Sequence, residues 1–204
     1  MQPQAATLRL AVVPRAGLLA DALLVCGGAG LVALAAQVSI HLGFTPVPIT
    51  GQTFAVVLVG AALGSVRGTA SLLLYLLVGL AGAPVYAAHK HGWEVVSGAT
   101  GGYIVGFVVA AALTGWLAER RHDRRVSTSL SAMLNGNVVI YIFGLLWLHH
   151  WLHASWATTL TDGLYPFVAG DVIKLYLAAL ALPGAWRLVA FVSRSAGAKP
   201  RTGR

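Results

Sequence analysis

Asp171 and Lys174 stand three residues apart in an otherwise apolar run, PFVAGDVIKLYL, from Pro166 to Leu177. At helical spacing they project from the same side. An ionisable group inside a bilayer costs roughly 2.5 to 3.5 kcal/mol on insertion scales and faces a partner, a cavity or a ligand rather than lipid. The pair therefore either satisfies itself as an ion-paired clip or holds something polar. Both residues lie close to a helix start near Pro166. That places them shallow in the membrane, where an entering ligand would first arrive.

The other polar clusters are weighed against that pair. The most polar stretch outside the tails is GAPVYAAHKHGWEVVSGATGGY, from Gly82 to Tyr103, whose glycines let backbone approach a ligand or another helix. It is no phosphate loop, because G-x-x-x-x-G-K-[ST] occurs nowhere in the chain. Gly98, Gly102 and Gly106 also have the spacing of close helix packing, so packing and pocket lining both stay open. His149 and His153 could put two metal ligands on one helical face. No carboxylate or cysteine lies beside them, and Trp147, Trp151 and Trp156 make an interfacial aromatic belt the better account. Asn135 and Asn137 read as structural polar groups that bond a neighbouring helix. The single Cys26 permits no intramolecular disulfide and reads as a buried structural thiol.

The elements that must position these groups follow from composition and charge. The 204 residues are 57% hydrophobic and 10% charged, and the mean hydropathy is +0.77, values of an integral membrane protein rather than a soluble domain. At about 20 residues per span the chain has room for roughly five to seven helices. The reading is all-α, with one transmembrane domain over residues 18–192, a tail before it over 1–17 and a basic tail over 193–204. Residues 1–15 do not read as a signal peptide, because Pro14 and Arg15 interrupt them.

The net charge of +8 does not read as a nucleic-acid footprint. Arg9 and Arg15, then Arg67, then Arg120, Arg121, Arg124 and Arg125, then Arg187 to Arg204 fall on alternate connections. This is the positive-inside pattern, which implies six spans with both termini cytoplasmic. Anionic lipid headgroups are a secondary partner.

The spans read as Leu18 to His41, Gln52 to Gly64, Thr69 to Leu80, Gly101 to Leu117, Ser129 to Leu148, and Phe167 to Trp186 and beyond. Pro183 and Gly184 are positioned to bend the last, and the tail from Ser195 reads as disordered. Between the first two lies GFTPVPITGQT, where Pro46 and Pro48 force an extended segment. The second and third spans are short: a dozen residues reach about 18 Å of a hydrocarbon core of about 30 Å. Loop backbone is tolerated at that depth only when packed in protein or lining a wet cavity. The loops at 43–51 and 81–100 are therefore expected to dip into the outer half and wall a pocket at the depth of Asp171 and Lys174.

Four segments, TPVPITGQTF (Thr45 to Phe54), LVGLAGAPVYA (Leu77 to Ala87), SGATGGYIVGF (Ser97 to Phe107) and GDVIK (Gly170 to Lys174), resemble in order and spacing the BioY family. These are the substrate-binding membrane subunits of biotin transporters of the energy-coupling-factor (ECF) type. The resemblance implies six helices in a bacterial inner membrane, biotin held in an outward-side pocket, and partnership with a transmembrane coupling protein and two ATPases. It implies no cofactor and no catalysis. Asp171 and Lys174 match the family's acidic and basic pocket positions. Departures are Ala99, where the family more often has proline, and His89, Lys90 and His91 in place of a more glycine-rich stretch.

Biotin's chemistry suits such a pocket. Asp171 can accept from the ureido N–H groups, and Lys174 can donate to a ureido or carboxylate oxygen. Tyr75, Tyr86 and Tyr103 could supply rings to the apolar body, Gln52 an amide contact and Gly101 a close backbone approach. Ala29 and Ala33, small residues four apart on the first span, are the expected partner-docking face. A solitary homo-oligomeric biotin transporter is the alternative within this class. An intramembrane enzyme using Asp171 as acid or base is the rival class. It lacks a second carboxylate in the spans apart from Asp21, and lacks a serine–histidine or metal set at pocket depth.

Overall fold

The computed structural model describes residues 7–12 and 17–197. Among the described residues nine α-helices run in the order α1 (Leu8–Val12), α2 (Leu18–Gln37), α3 (Gln52–Leu63), α4 (Ser65–Leu80), α5 (Trp93–Ser97), α6 (Gly101–Glu119), α7 (Val126–Leu152), α8 (Trp156–Gly163) and α9 (Tyr165–Gly197). A two-residue antiparallel pair, β1 (Ser39–Ile40) with β2 (Ile49–Thr50), brackets the Pro46 and Pro48 segment. A 3₁₀ turn covers Ala87–His89. The helices α2, α6, α7 and α9 are long and apolar enough to cross a membrane, whereas α3 and α4 are shorter apolar helices. This is a multi-pass membrane protein.

Packing centres on α6, which has a buried small-residue surface of Gly102, Gly106, Ala110, Ala111 and Gly115. A Cβ added to Gly102 would lie 2.2 Å from the Trp147 Cβ and 2.5 Å from the Phe143 carbonyl oxygen, so α6 meets α7 at backbone distance. Helix packing without a hydrophobic drive depends on such close approach. On the outer surface, Leu23, Leu34, Val66, Ile142, Ile173, Leu177 and Leu180 are exposed, as lipid-facing positions require.

Polar ties gather the opposite end from the cavity described below. Gly64 ends α3 at φ +87, a conformation that suits glycine, and α4 begins at once. Glu119 Oε1 accepts from the Ser65 backbone N–H at 2.8 Å and its hydroxyl at 2.9 Å, placing a carboxylate on the start of α4. Asp21 accepts from Arg9 at 2.6 Å and from two nitrogens of Arg67 at 2.8 and 2.7 Å. Trp186 Nε1 donates to Asp123. The basic connections near Arg9, Arg67, Arg121 and Arg187 are thereby tied at one end of the bundle.

Several expectations are corrected. The first helix stops at Gln37 rather than His41, because the chain turns extended at Val38 to pair β1 with β2. The segment before residue 18 is not only a tail, since α1 buries Arg9 against the bundle. The last helix runs through Pro183 to Gly197, into the segment expected to be a disordered tail; residues 198–204 lie outside the described residues. Cys26 is exposed, not buried, because α2 turns Gly28, Ala29, Val32 and Ala36 inward and Cys26 lies off that face. Of the two alanines expected to dock a partner, Ala29 is buried in the core and Ala33 is half-buried beside it.

Candidate functional site: a cavity floored by Asp171

The inward stripe of α9 is Asp171, Leu175, Ala178 and Leu182, at helical spacing, so the fold turns the aspartate into the bundle while Val172 and Ile173 face out. Asp171 is only 4% exposed, yet four donors converge on its carboxylate. Lys174 Nζ lies 2.8 Å and Thr53 Oγ1 3.2 Å from Oδ1. Tyr141 Oη lies 2.6 Å and Asn137 Nδ2 3.0 Å from Oδ2. A carboxylate has about four acceptor positions, and here each is filled. Lys174 also lies 3.4 Å from the Thr53 hydroxyl, so α9 supplies the ion pair while α3 and α7 supply the neutral donors.

This network floors a cavity of about 640 Å³, within the usual range of small-molecule sites. Because α3 begins only at Gln52, the space beyond its N-terminus is walled by loops. Pro46, Val47 and Pro48 form one side; Tyr86, His89 and Thr100 of the 81–100 loop form another. Both loops expected to wall a pocket do so. Apolar sides come from Ile104, Phe107, Ile140 and Phe167.

Among the residues singled out from sequence, Asp171, Lys174, Gln52, Tyr86 and Tyr103 line the cavity. Tyr103 also donates to the Gly163 carbonyl at 2.8 Å and stands edge-on to Tyr141. Tyr86 donates to the Leu76 carbonyl at 2.7 Å. Tyr75 is brought near but not in: it is 1% exposed, accepts from Gln52 Nε2 at 2.7 Å and stands edge-on to Tyr86, behind the wall. Gly101 is likewise a packing position. A Cβ there would fall 1.8 Å from the Val96 carbonyl oxygen, so the glycine seats the loop on α6 rather than facing the cavity.

Sequence reading passed over Thr53 and Tyr141, and took Asn137 for a structural group. Asn137 does bond another helix, but its partner is the site carboxylate. The signal was its i,i+4 relation to Tyr141 on one face of an apolar helix. Trp151, assigned to an aromatic belt, borders the cavity. His149 stacks on Trp156 with ring centroids 4.0 Å apart and lies 3.2 Å from the Thr159 hydroxyl. Gln37, the last residue of α2, clasps the 81–100 loop. Its Nε2 donates to the Val85 and Tyr86 carbonyls at 3.4 and 3.2 Å, and its Oε1 accepts from the His89 backbone N–H at 3.1 Å.

Fold and site together define a class: a multi-pass helical membrane protein that encloses a ligand-sized cavity with a charged floor. The chain belongs to the BioY family, whose model matches residues 4–191. A biotin transporter BioY of Rhizobium etli is 38% identical over 157 residues, spanning 74% of this chain and 83% of that protein. One from Thermotoga maritima is 39% identical over 150 residues, spanning 74% and 86%. In three dimensions the chain resembles the crystal structure of an S-component for biotin from an ECF-type ABC transporter. The TM-score is 0.76 with 24% identity, over 83% of this chain and 92% of the other, a likeness of fold.

Proposed function

We propose that this chain binds biotin as the substrate-capturing membrane subunit of an ECF-type transporter. The observation that carries the reading is the buried ion pair of Asp171 and Lys174 at the cavity floor, held by Thr53, Asn137 and Tyr141. Biotin presents a ureido group with two N–H donors and one carbonyl acceptor on an apolar bicycle. A floor that combines acceptor and donor matches it, and the apolar sides match the thiophane ring and chain. Since all acceptor positions of Asp171 are filled, an arriving N–H displaces a donor. Thr53, at 3.2 Å the longest of the four contacts, is the one to yield. Lys174, whose contacts are Asp171 and Thr53, has a third N–H for the ureido oxygen.

The names of the relatives and of the structural neighbour support transport over catalysis, the ligand leaving unaltered. In this reading α2, α3, α4, α6, α7 and α9 are the six spans of a bacterial inner-membrane protein. The arginine-rich end and both termini are cytoplasmic, by the positive-inside rule. A transmembrane coupling protein and two ATPases supply the energy, membrane lipids surround the apolar belt, and the cavity opens outward. The test is equilibrium binding of biotin to the purified chain in detergent, with recovery of the bound ligand. Saturable binding and unchanged biotin support the reading; no binding, or an altered product, overturns it.

A further inference from the structure

The connection from α6 to α7 carries four arginines within a few residues: Arg120, Arg121, Arg124 and Arg125. Its two acidic side chains are already used. Glu119 accepts from Ser65 at the start of α4. Asp123 is buried, accepts from Trp186 Nε1 and lies 3.5 Å from Arg124 Nε. Among the described residues Arg120, Arg121 and Arg125 have no carboxylate partner, and all three are exposed. An excess of positive charge is therefore left where two membrane-crossing helices end.

The arginines are mounted, not merely clustered. The Arg120 guanidinium carbon lies 3.4 Å from the centroid of a Trp116 ring, and that of Arg124 lies 3.3 Å from Trp186. A guanidinium held flat on an indole keeps its planar fork of N–H donors for an acceptor beside the ring, and that fork matches phosphate. Arg121 sets the turn at φ 68, a left-handed position that ends many helices on glycine. Its N–H donates to the Ala118 carbonyl at 2.8 Å, and the His122 N–H donates to the Leu117 carbonyl at 3.2 Å. Glycine would take this φ without a steric penalty, so the side chain at 121 is kept against a backbone cost.

Below this turn the outward side of α6 is apolar. Val109 and Trp116, two turns apart, are exposed to the surrounding lipid. Tryptophan favours the level of the headgroups, where its ring is apolar and its N–H is wet.

We infer that the α6–α7 connection is a headgroup site for an anionic phospholipid. Arg120 and Arg121 receive the phosphodiester with Arg125 beside them, and an acyl chain lies along Trp116 and Val109. Charge-assisted N–H donors at the end of an apolar stripe fit an amphiphile, whereas a free anion would use the donors and leave the stripe unexplained. With the topology proposed above, the site lies in the cytoplasmic leaflet, whose surface is negative. The inference does not depend on the identity of the cavity's ligand. Trp116 is the positioning residue for Arg120.

The experiment incubates the full-length protein in detergent with dioleoylphosphatidylglycerol or dioleoylphosphatidylcholine and measures retained lipid by native mass spectrometry. Wild type is expected to retain the anionic lipid at least about fivefold over the zwitterionic one. Arg120→Gln combined with Arg121→Gly, the glycine relaxing the turn, is expected to bring the ratio below about twofold. Trp116→Leu keeps every charge and is expected to lower the ratio by about half or more, because Arg120 loses its platform. Equal retention of the two lipids by wild type overturns the site, and that comparison needs no variant to fold. A Trp116→Leu protein with the full wild-type preference also overturns it, leaving only diffuse attraction to positive charge. Inorganic phosphate that raises the melting temperature as much as phosphatidylglycerol does would make this a free-anion site and overturn the lipid assignment.

Discussion

Tyr141 on α7 places its hydroxyl 2.6 Å from Asp171 Oδ2 on α9, and Asn137, one turn earlier on α7, reaches the same oxygen at 3.0 Å. Two helices that pack through apolar surfaces are thus pinned in register by one carboxylate. The same bonds that fix the register orient the acceptor in the cavity floor. On the proposed function, structure and binding therefore share a residue, and separating the two roles is the object of the first experiments.

Asp171→Asn keeps the shape but removes the charge and turns one of the two acceptor oxygens into a donor among the four groups that converge there. Biotin affinity is expected to fall at least tenfold, about 1.4 kcal/mol. Equilibrium binding on material that elutes as one folded species is the measurement. Equal affinity of variant and wild type would make the pair a structural clip only.

Tyr141→Phe removes a hydrogen bond to a charged group, worth about 1.5 to 3 kcal/mol. The ring stays in place, because its edge-on contact with Tyr103, at 6.4 Å between centroids, does not use the hydroxyl. Biotin affinity should drop by about tenfold or more while the elution profile is kept. Tyr75→Phe is the control: its hydroxyl meets Gln52 behind the wall, so its effect on affinity should be smaller than that of Tyr141→Phe.

Gly102→Val should fail on packing. Its added atoms meet the Trp147 Cβ and a Phe143 backbone oxygen, neither of which can swing away. Overpacking of this kind costs about 1 to 3 kcal/mol. A lowered melting temperature in detergent is expected, larger than for Gly170→Val, where nothing lies within 4 Å. Equal shifts for the two would show that α6 and α7 relax apart freely.

Asp171 and Lys174 were legible in the sequence because a charge in an apolar run violates its surroundings, and the short α3 and α4 because length is additive. Helix rotation was not legible for α2. Its composition is apolar all round, so nothing in LLADALLVCGGAGLVALAAQ says which small residues face inward; Ala29 proved buried and Cys26 exposed. The donors Thr53, Asn137 and Tyr141 were missed for a related reason. Each is individually tolerable in a membrane helix, and only the packing of α3, α7 and α9 reveals their common acceptor. The clasp by Gln37 spans 52 residues to His89, a pairing no local pattern announces.

Asp123, in the connection between α6 and α7, offers a pH test away from the site. Burial pushes its carboxyl above the usual range, against the hydrogen bond from Trp186 and the nearby Arg124 charge, which pull it down. A carboxyl whose folded value is raised contributes its stability below the unfolded value of about 3.9. That contribution is lost as pH rises through the folded value. At neutral pH the ionised Asp123 is therefore a cost. Asp123→Asn keeps an acceptor for Trp186 and should raise the melting temperature at pH 7, with the gain shrinking as pH falls towards 4. A gain independent of pH would show that ionisation of Asp123 is not its source.

The last question is what Lys174 does for Asp171. Its ammonium lies 2.8 Å from Oδ1, and its side chain is 19% exposed against 6% for the aspartate. Lys174→Met would leave the carboxylate with Thr53, Asn137 and Tyr141, three neutral donors and no counter-charge. Removing one partner of a buried pair costs about 3 to 5 kcal/mol, mostly for the charge left behind. Asp171→Asn should spare part of that cost when both changes are made together. A double-mutant cycle on thermal stability should then show the double variant at least about 1 kcal/mol less destabilised than the sum of the single variants. The same cycle on biotin affinity separates the roles. Additive losses would mean that Lys174 meets the ligand independently of Asp171. A Lys174→Met loss that vanishes in the Asp171→Asn background would mean that the lysine acts only by holding the carboxylate in place.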